Sequence, residues 1–327
     1  MSKIAIRYKA SPTHGMGHMV RQLHIGNLLL REGHSVTYYI DDFKPSVEAK
    51  AGFDYRIINP DDIFLKKPED HVDLIILDQK DNDAAYISAL RPHTRKILSF
   101  EDLGDGRHLV DLLIDCNLDK EEMARVKSGV KILFGLPYTI LHPDFERYNR
   151  QPRQFPSIIR SVLVTLGGTD PKNLTVPLVK TILEQNNSIL LTVLTGPGFS
   201  DWAALETLQF NWNQLQVRHN ISNMAETLAA HDVVFCSGGV TLHEALATGT
   251  PPIVLNQVPH QEKKAKYFEK LGAAINLGLA GNWDTRLVGE TLAFKKEQLE
   301  TMSRIGRSLI DGKGIHRVLE EIRILLG

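Results

Sequence analysis

The sequence predicts an open α/β protein built from two parallel-sheet halves. Three observations carry that prediction. Short runs rich in Val, Ile, Leu and Tyr alternate with segments of helical period, glycine turns stand directly after several of those runs, and the whole pattern starts afresh near residue 160. With 327 residues the chain also exceeds what one ordinary core holds, which favours two domains.

Taken in order, "KIAIRY" is the first expected strand. "SPTHGMGHMVRQL" (11–23) turns from it into a helix over 18–32, where Leu23, Leu28, Leu29 and Leu30 mark an apolar face that ends near Gly33. "HSVTYYI", "DYRII", "VDLIILD", "RKILSF", "LLIDC" and "KILFG" supply further strands, with helices over 43–51 and 82–91. "HPDFERYNRQPRQFP" is polar, arginine-rich and proline-bearing, and reads as an interdomain linker at about 142–157. Domains are therefore expected at 1–145 and 157–327. The second half opens with "SVLVTLGGTD" and continues through "SILLTVLTG", "LQVRHNI", "DVVFCSGG" and "PPIVLN". It closes with helices over 284–300 and 303–326, the last carrying Ile315, Val318, Leu319, Ile322 and Leu325 at helical spacing.

The bulk properties narrow the function classes. A hydrophobic fraction of 43% and a charged fraction of 24% are those of a globular protein. A net charge of −1 argues against nucleic acid or an anionic membrane as the general partner. No apolar run approaches the ~20 residues that span a bilayer, and no signal-peptide core is evident, so a cytoplasmic location is expected. Cys116 and Cys236 are far apart and have no metal-ligand spacing, which suits a reduced, metal-free role.

In open parallel sheets, ligands sit beyond the carboxyl ends of the strands, and four residue clusters stand there. The first is Gly15-Met16-Gly17-His18-Met19-Val20-Arg21. A dinucleotide fingerprint would place a small residue at position 20; Val20 stands there instead, although Asp41 and Asp42 do follow the next strand. His18 falls in the first helical turn, where the helix dipole disfavours imidazolium and keeps the ring available as a base. The same position also suits a histidine that merely caps a turn. Arg21 either meets a phosphate or faces solvent.

The second cluster is Asp78-Gln79-Lys80-Asp81. Asp78 is either a site carboxylate or a cap of the next helix, and Glu101 and Asp102 in "SFEDLGD" share that ambiguity. The third, Gly167-Gly168-Thr169-Asp170-Pro171, permits close ligand approach but is equally a plain turn. The fourth runs from Ser237, Gly238 and Gly239 to Thr241 and Glu244, where free amides at a helix start and two hydroxyls suit a diphosphate. Glu244 suits sugar hydroxyls better than phosphate. The loop is no Walker A motif, because the Gly-Lys-Ser/Thr ending is missing. Gln261 and Glu262 open a further helix near the same face.

These clusters resemble nucleotide-sugar enzymes. "SGGVTLHEALATGTPPIVLN" followed by "HQEKKAKYFEKLG" is similar to the donor-nucleotide region of MurG-like transferases. "GMGHMVR", "LIILD", "KILSFED", "FGLPYTIL", "GGTDPKNLT" and "HEAL", in this order, resemble the PseG/SpsG group of nucleotide-sugar hydrolases across nearly the whole chain. The resemblance implies the GT-B type of fold: two Rossmann-like open parallel-sheet domains facing a cleft, the first with the catalytic histidine and the second with the nucleotide. It implies that His18 activates water against the anomeric carbon of a UDP-linked deoxy amino sugar, with inversion, in surface-polysaccharide or nonulosonic-acid (pseudaminic) biosynthesis. Gly15 and Gly17 would shape the sugar pocket, and 237–244 would hold UDP, with no metal and no cofactor. Transfer to a carbohydrate or lipid-linked acceptor is the alternative. The chain departs from the group at Lys9, where an aspartate is usual, and at Lys80, where a tyrosine is usual.

Overall fold

The computed structural model describes residues 1–9, 17–41, 54–59, 61–62, 64–67, 70–116, 124–127, 129–196, 198–219, 221 and 223–327. Gly15 and Asp42, and the helix expected over 43–51, lie outside the described residues. The chain divides into two compact units: Met1–His142 with Lys313–Gly327, and Pro143–Gly312.

The first unit contains strands β1 (Lys3–Lys9), β2 (Ser35–Asp41), β3 (Asp54–Ile58), β4 (Val72–Asp78), β5 (Thr94–Phe100), β6 (Leu112–Asp115) and β7 (Lys131–Phe134), with helices α1 (Gly17–Arg31) and α2 (Ala84–Leu90). The sheet runs β3-β2-β1-β4-β5-β6-β7 and every pairing is parallel. The period-2 alternation of a strand explains how both faces are filled. Ile4, Ile6 and Tyr8 of β1 join the core that holds Met19, Ile25 and Leu29 of α1. Ala5 turns to the other face, among Ile87 and Leu90 of α2. Because the chain leaves β1 toward β2 and later returns to β4 on its opposite side, the loops after β1 and β4 part from one another. This is the topological switch point where such sheets take their ligands.

The second unit repeats the plan. It begins with α3 (Asp144–Arg150), β8 (Ser161–Thr165), α4 (Thr175–Gln185), β9 (Leu190–Thr195), α5 (Trp202–Asn211), β10 (Leu215–His219) and α6 (Met224–Ala229). It continues with β11 (Val233–Cys236), α7 (Val240–Thr248), β12 (Pro252–Asn256), α8 (Pro259–Lys270), β13 (Ile275–Leu279), β14 (Asn282–Trp283), α9 (Arg286–Leu292) and α10 (Lys296–Leu309). The order β10-β9-β8-β11-β12-β13-β14 places its switch point between β8 and β11. All pairings are parallel except the short antiparallel β13–β14 edge.

The structure corrects several expectations. The segment 142–157 is no free linker: α3 forms within it, and Asn149 donates its side-chain amide to the carbonyls of Ala247 (2.9 Å), Arg307 (3.2 Å) and Ile310 (3.1 Å). β13 and β14 were not expected, because glycines at 278 (φ +108°) and 281 (φ +84°) interrupt their apolar pattern. The helix expected over 284–300 breaks at 293–295, where the Lys295 amide is capped by the Gln298 side chain at 2.9 Å. The helix expected over 303–326 breaks before Lys313, at Gly312 with φ +75°.

That last break moves a domain boundary. The final helix, α11 (Gly314–Leu326), belongs to the first unit and not to a domain ending at 327. Its Ile315, Val318, Leu319 and Ile322 are buried in the core of the first sheet. Arg323 pairs with Glu32 at 2.6 Å, and Lys131 pairs with Glu321. Gly314 lies so close to residue 139 that a Cβ would stand 2.0 Å from the Thr139 carbonyl oxygen. Among the described residues no helix is long and apolar enough to cross a membrane.

Backbone against backbone leaves Gly314→Ala no soft side chain to displace, so α11 must shift. We expect a loss of about 1–3 kcal/mol, with faster amide exchange in α1 and the first sheet. Unchanged exchange there would contradict the assignment of α11 to the first unit.

Candidate functional site

The first cluster of site residues gathers at the β1/β4 switch point. β1 and β4 run in register, with Tyr8 opposite Asp78, so the last residue of β4 lies beside the end of β1. Residues 18, 21 and 22 follow the i, i+3, i+4 pattern and therefore share one face of α1. All three side chains converge on Asp78. His18 Nδ1 stands 2.7 Å from Asp78 Oδ1. Arg21 donates Nη2–H to Oδ1 at 2.5 Å and Nε–H to Oδ2 at 2.6 Å, a bidentate grip. Gln22 donates Nε2–H to Oδ2 at 2.8 Å. A second carboxylate, Glu101 just after β5, takes Arg21 Nη1 at 3.1 Å, and the guanidinium carbon lies 5.2 Å from the Phe100 ring centroid.

The Asp78 side chain has no exposed surface. Burial alone would push its carboxyl up, but the Arg21 charge, the Arg21 hydrogen bonds and His18 together hold it well below the usual carboxylate range. Burial would likewise lower the Arg21 guanidinium, yet Asp78 and Glu101 outweigh it and fix the positive charge. An ionised carboxylate only accepts, so Nδ1 of His18 carries the donated hydrogen and Nε2 of the neutral ring is left as the acceptor. Nε2 has no hydrogen-bond partner among the described residues, and 20% of the side chain is exposed. A histidine oriented by a buried carboxylate and open at its other nitrogen can take a proton from a water or hydroxyl.

The expected roles shift accordingly. Asp78, expected against substrate, is buried beneath His18; the cap of α2 is Asp83, which accepts from the Tyr86 amide at 2.6 Å. Arg21, expected on phosphate or in solvent, is committed to two carboxylates. Lys80 is exposed, and its carbonyl accepts from the Leu103 amide. The shared ambiguity of Glu101 and Asp102 resolves in opposite directions. Glu101 joins the cluster, whereas Asp102 is fully buried and ties its loop through Asn82, Ser99 and the Gly104 amide. Asp41 is drawn to the other face, where it accepts from Arg7 at 3.0 Å and from Gln79 at 3.0 Å. It is therefore not held out for a dinucleotide ribose. The parts of the cluster missed from sequence are Gln22 and the Arg21–Glu101 pair; the helical spacing 18/21/22 was the available signal.

The second cluster gathers at the β8/β11 switch point of the other unit. Gly167 (φ +105°) lies where a Cβ would stand 3.8 Å from Ser237 Oγ, so the loops after β8 and β11 converge. Gly168 packs so tightly against the next loop that a Cβ at Gly196 would sit 2.4 Å from its Cα. Thr169 flanks that packing, near Gly198. Asp170 is not held out for a ligand: both oxygens accept backbone N–H groups at the start of α4, from Leu174 at 3.0 Å and Thr175 at 2.8 Å.

α7 starts after Gly239 with no side-chain cap, which leaves its first amides directed outward. Gly238 is required by close approach, since a Cβ there would meet the Gln261 carbonyl and Asn256 Oδ1 at 2.6 Å each. Gln261 lies beside this turn and accepts from the Gln257 amide at 2.9 Å, while Glu262 turns along α8 to Lys266 at 3.0 Å. Asn256 was missed from sequence. Its Oδ1 is buried beside Gly238 with no hydrogen-bond partner, while its Nδ2 is held by Asn276 and the Gly278 carbonyl. Burial pushes the Glu244 carboxyl up to about 7, offset only in part by a hydrogen bond from Thr241.

The comparisons with known proteins agree with this architecture. The Glycosyltransferase family 28 C-terminal domain matches residues 161–310, which lie within the second unit. The spore coat polysaccharide biosynthesis protein SpsG of Bacillus subtilis (strain 168) is 27% identical over 325 residues, covering 93% of each chain. Among solved structures, Acinetobacter baumannii MurG superposes with a TM-score of 0.64 at 15% identity, covering 98% of this chain and 99% of that one. Arabidopsis thaliana UGT89C1 complexed with UDP-L-rhamnose superposes with a TM-score of 0.62 at 13% identity and coverage of 98% and 99%.

A carboxyl that titrates near 7 when folded, against an ordinary 4.5, holds its proton more tightly in the folded state. Its stabilising contribution is complete below about pH 4.5 and is lost as the pH rises through 7, on the order of 3 kcal/mol. Urea unfolding of Glu244→Gln should therefore show a flatter fall in stability between pH 5 and 8 than the wild type. Identical slopes would place Glu244 in a solvated setting. The chain has the two-domain GT-B fold, carries a region matching the Glycosyltransferase family 28 C-terminal domain, and resembles SpsG over nearly its whole length.

Proposed function

We propose that the protein uses a nucleotide-sugar in polysaccharide biosynthesis and that it hydrolyses a UDP-linked deoxy amino sugar at the anomeric carbon. The observation that carries this reading is the 2.7 Å contact of His18 Nδ1 with buried Asp78, which leaves Nε2 open as a base. Nε2 takes a proton from water as the water oxygen bonds to the anomeric carbon. The carbon–oxygen bond to the nucleotide breaks, and its electron pair leaves on the β-phosphate of UDP. The products are free sugar and UDP; the imidazolium then returns its proton to solvent.

The second unit supplies the grip on the leaving group. Amides at the start of α7, with Ser237 and Thr241, offer donors where negative charge develops on the diphosphate. Glu244, which burial holds at about 7, can meet ribose hydroxyls with less repulsion toward phosphate than an ordinary carboxylate would show. SpsG by its name acts in spore coat polysaccharide biosynthesis, and the UGT89C1 structure holds a UDP-sugar. Both favour the same substrate class. Transfer to a sugar or lipid-linked acceptor is the second reading, favoured by the match of residues 161–310 to a glycosyltransferase domain. Exposed Lys80, where the similar hydrolases carry tyrosine, would be the point at which the sugar pocket differs.

Incubation with a panel of UDP-sugars in the absence of acceptor should release UDP and free sugar, followed by mass spectrometry. Tight binding without turnover would point to transfer. His18→Asn should lower turnover by about 100-fold or more while UDP affinity changes little. Equal loss of both would remove His18 from the role of base.

A further inference from the structure

We propose that Gln257 is a positioning residue for the diphosphate, acting by locking the loop after β8 to the turn after β11. The inference rests on the reading of the second unit as the grip on the nucleotide. Gln257 directly follows β12 and is 5% exposed. The sheet order β8-β11-β12 means that its side chain crosses the end of β11 to reach the loop after β8. There Nε2–H donates to the Leu166 carbonyl at 2.8 Å, and Oε1 accepts from the Lys172 amide at 3.2 Å. One side-chain amide thus clasps both ends of the segment 166–172. Between those ends, the amides of Gly167, Gly168 and Thr169 donate to no acceptor among the described residues. The Gln257 backbone serves the other loop. Its amide donates to Gln261 Oε1 at 2.9 Å, which fixes the Gln261 side chain with Nε2 toward Gly239, 3.9 Å from where a Cβ would stand.

An independent observation is the backbone of the clasped segment and its exit. Gly167 has φ +105°, and Asp170 and Asn173 have φ +43° and +50°. The last two are left-handed conformations that crowd a Cβ, and they persist only where the surroundings over-determine them. Asp170 is held by the Leu174 and Thr175 amides, and the Gly168 carbonyl accepts from the Gly198 amide at 2.9 Å. Gln257 adds the tie between this segment and the helix start at Gly239. Donors aimed at a diphosphate are most effective when they are fixed before it arrives, because no reorganisation is then needed.

The test separates phosphate from nucleoside. Affinities for UDP and for uridine are measured by calorimetry and ligand-observed NMR in the wild type, Gln257→Met and Gln257→Glu. Methionine keeps the side-chain length and removes both hydrogen bonds. Glutamate keeps the acceptor for the Lys172 amide and loses the donor to Leu166. UDP should bind about tenfold or more weakly to both variants, while uridine affinity changes by less than about twofold. Amide spectra of the 15N-labelled variants should differ from the wild type only around the loops after β8, β11 and β12. A parallel loss for UDP and uridine would overturn the proposal, as would two variants that lose the native spectrum throughout, since Gln257 would then serve the fold at large. A wild type that binds UDP no more tightly than its variants would reject the role of Gln257 alone. A wild type that binds no UDP would reject the nucleotide reading and the proposal with it.

Discussion

The first unit is organised around one buried anion. Asp78 has no exposed side-chain surface, and a carboxylate removed from water survives only where charge and hydrogen bonds replace its hydration. α1 provides both from a single face, through His18, Arg21 and Gln22. The same contacts decide the pitch of α1 against the sheet and the direction of the imidazole. Positioning the helix and aiming the imidazole are thus one event. The chain can achieve this because β1 and β4 are neighbours in the sheet, which brings the end of β4 beside the start of the helix that follows β1.

The opposite face of the same sheet shows a second buried charge with a different purpose. Arg7 is fully buried and donates to Asp41 at 3.0 Å, to the Asp62 carbonyl at 2.8 Å and to the Tyr86 hydroxyl at 2.5 Å. Gln79 closes the ring by donating to Asp41. These contacts tie β1, β2 and the residue after β4 together on the α2 side while Asp78 ties them to α1. With consecutive residues 78 and 79 fastened to opposite faces, the strand end has little freedom to move. Such a frame holds the carboxylate beneath His18, and with it the imidazole, in one place.

The second unit solves a different problem with the same topology. Its switch point holds few charges, and what it presents is backbone: paired glycines after β8, a glycine turn after β11 and an uncapped helix start. Backbone amides attract negative charge without the desolvation cost of a buried cation. Glu244 and the unpartnered Asn256 Oδ1 are acceptors set beside those donors.

Much of this was legible in the sequence, and the reasons for what was not are physical. Strand and helix patterns are local, so the two parallel sheets, the glycine turns at strand ends, His18 and the 237–244 turn could all be read from residue spacing. The motif order also carried the resemblance to the SpsG group. Partnership is not local. That Asp78 and Arg21 serve His18, that Glu101 joins them while Asp102 does not, and that Asp170 caps α4 depended on which strand ends lie side by side. The apolar stripe of 315–325 announced a helix but not the sheet it covers. Only the turn at Gly312 and the fit of Gly314 against residue 139 returned it to the first unit, because burial is decided by the surface a helix meets and not by the helix alone.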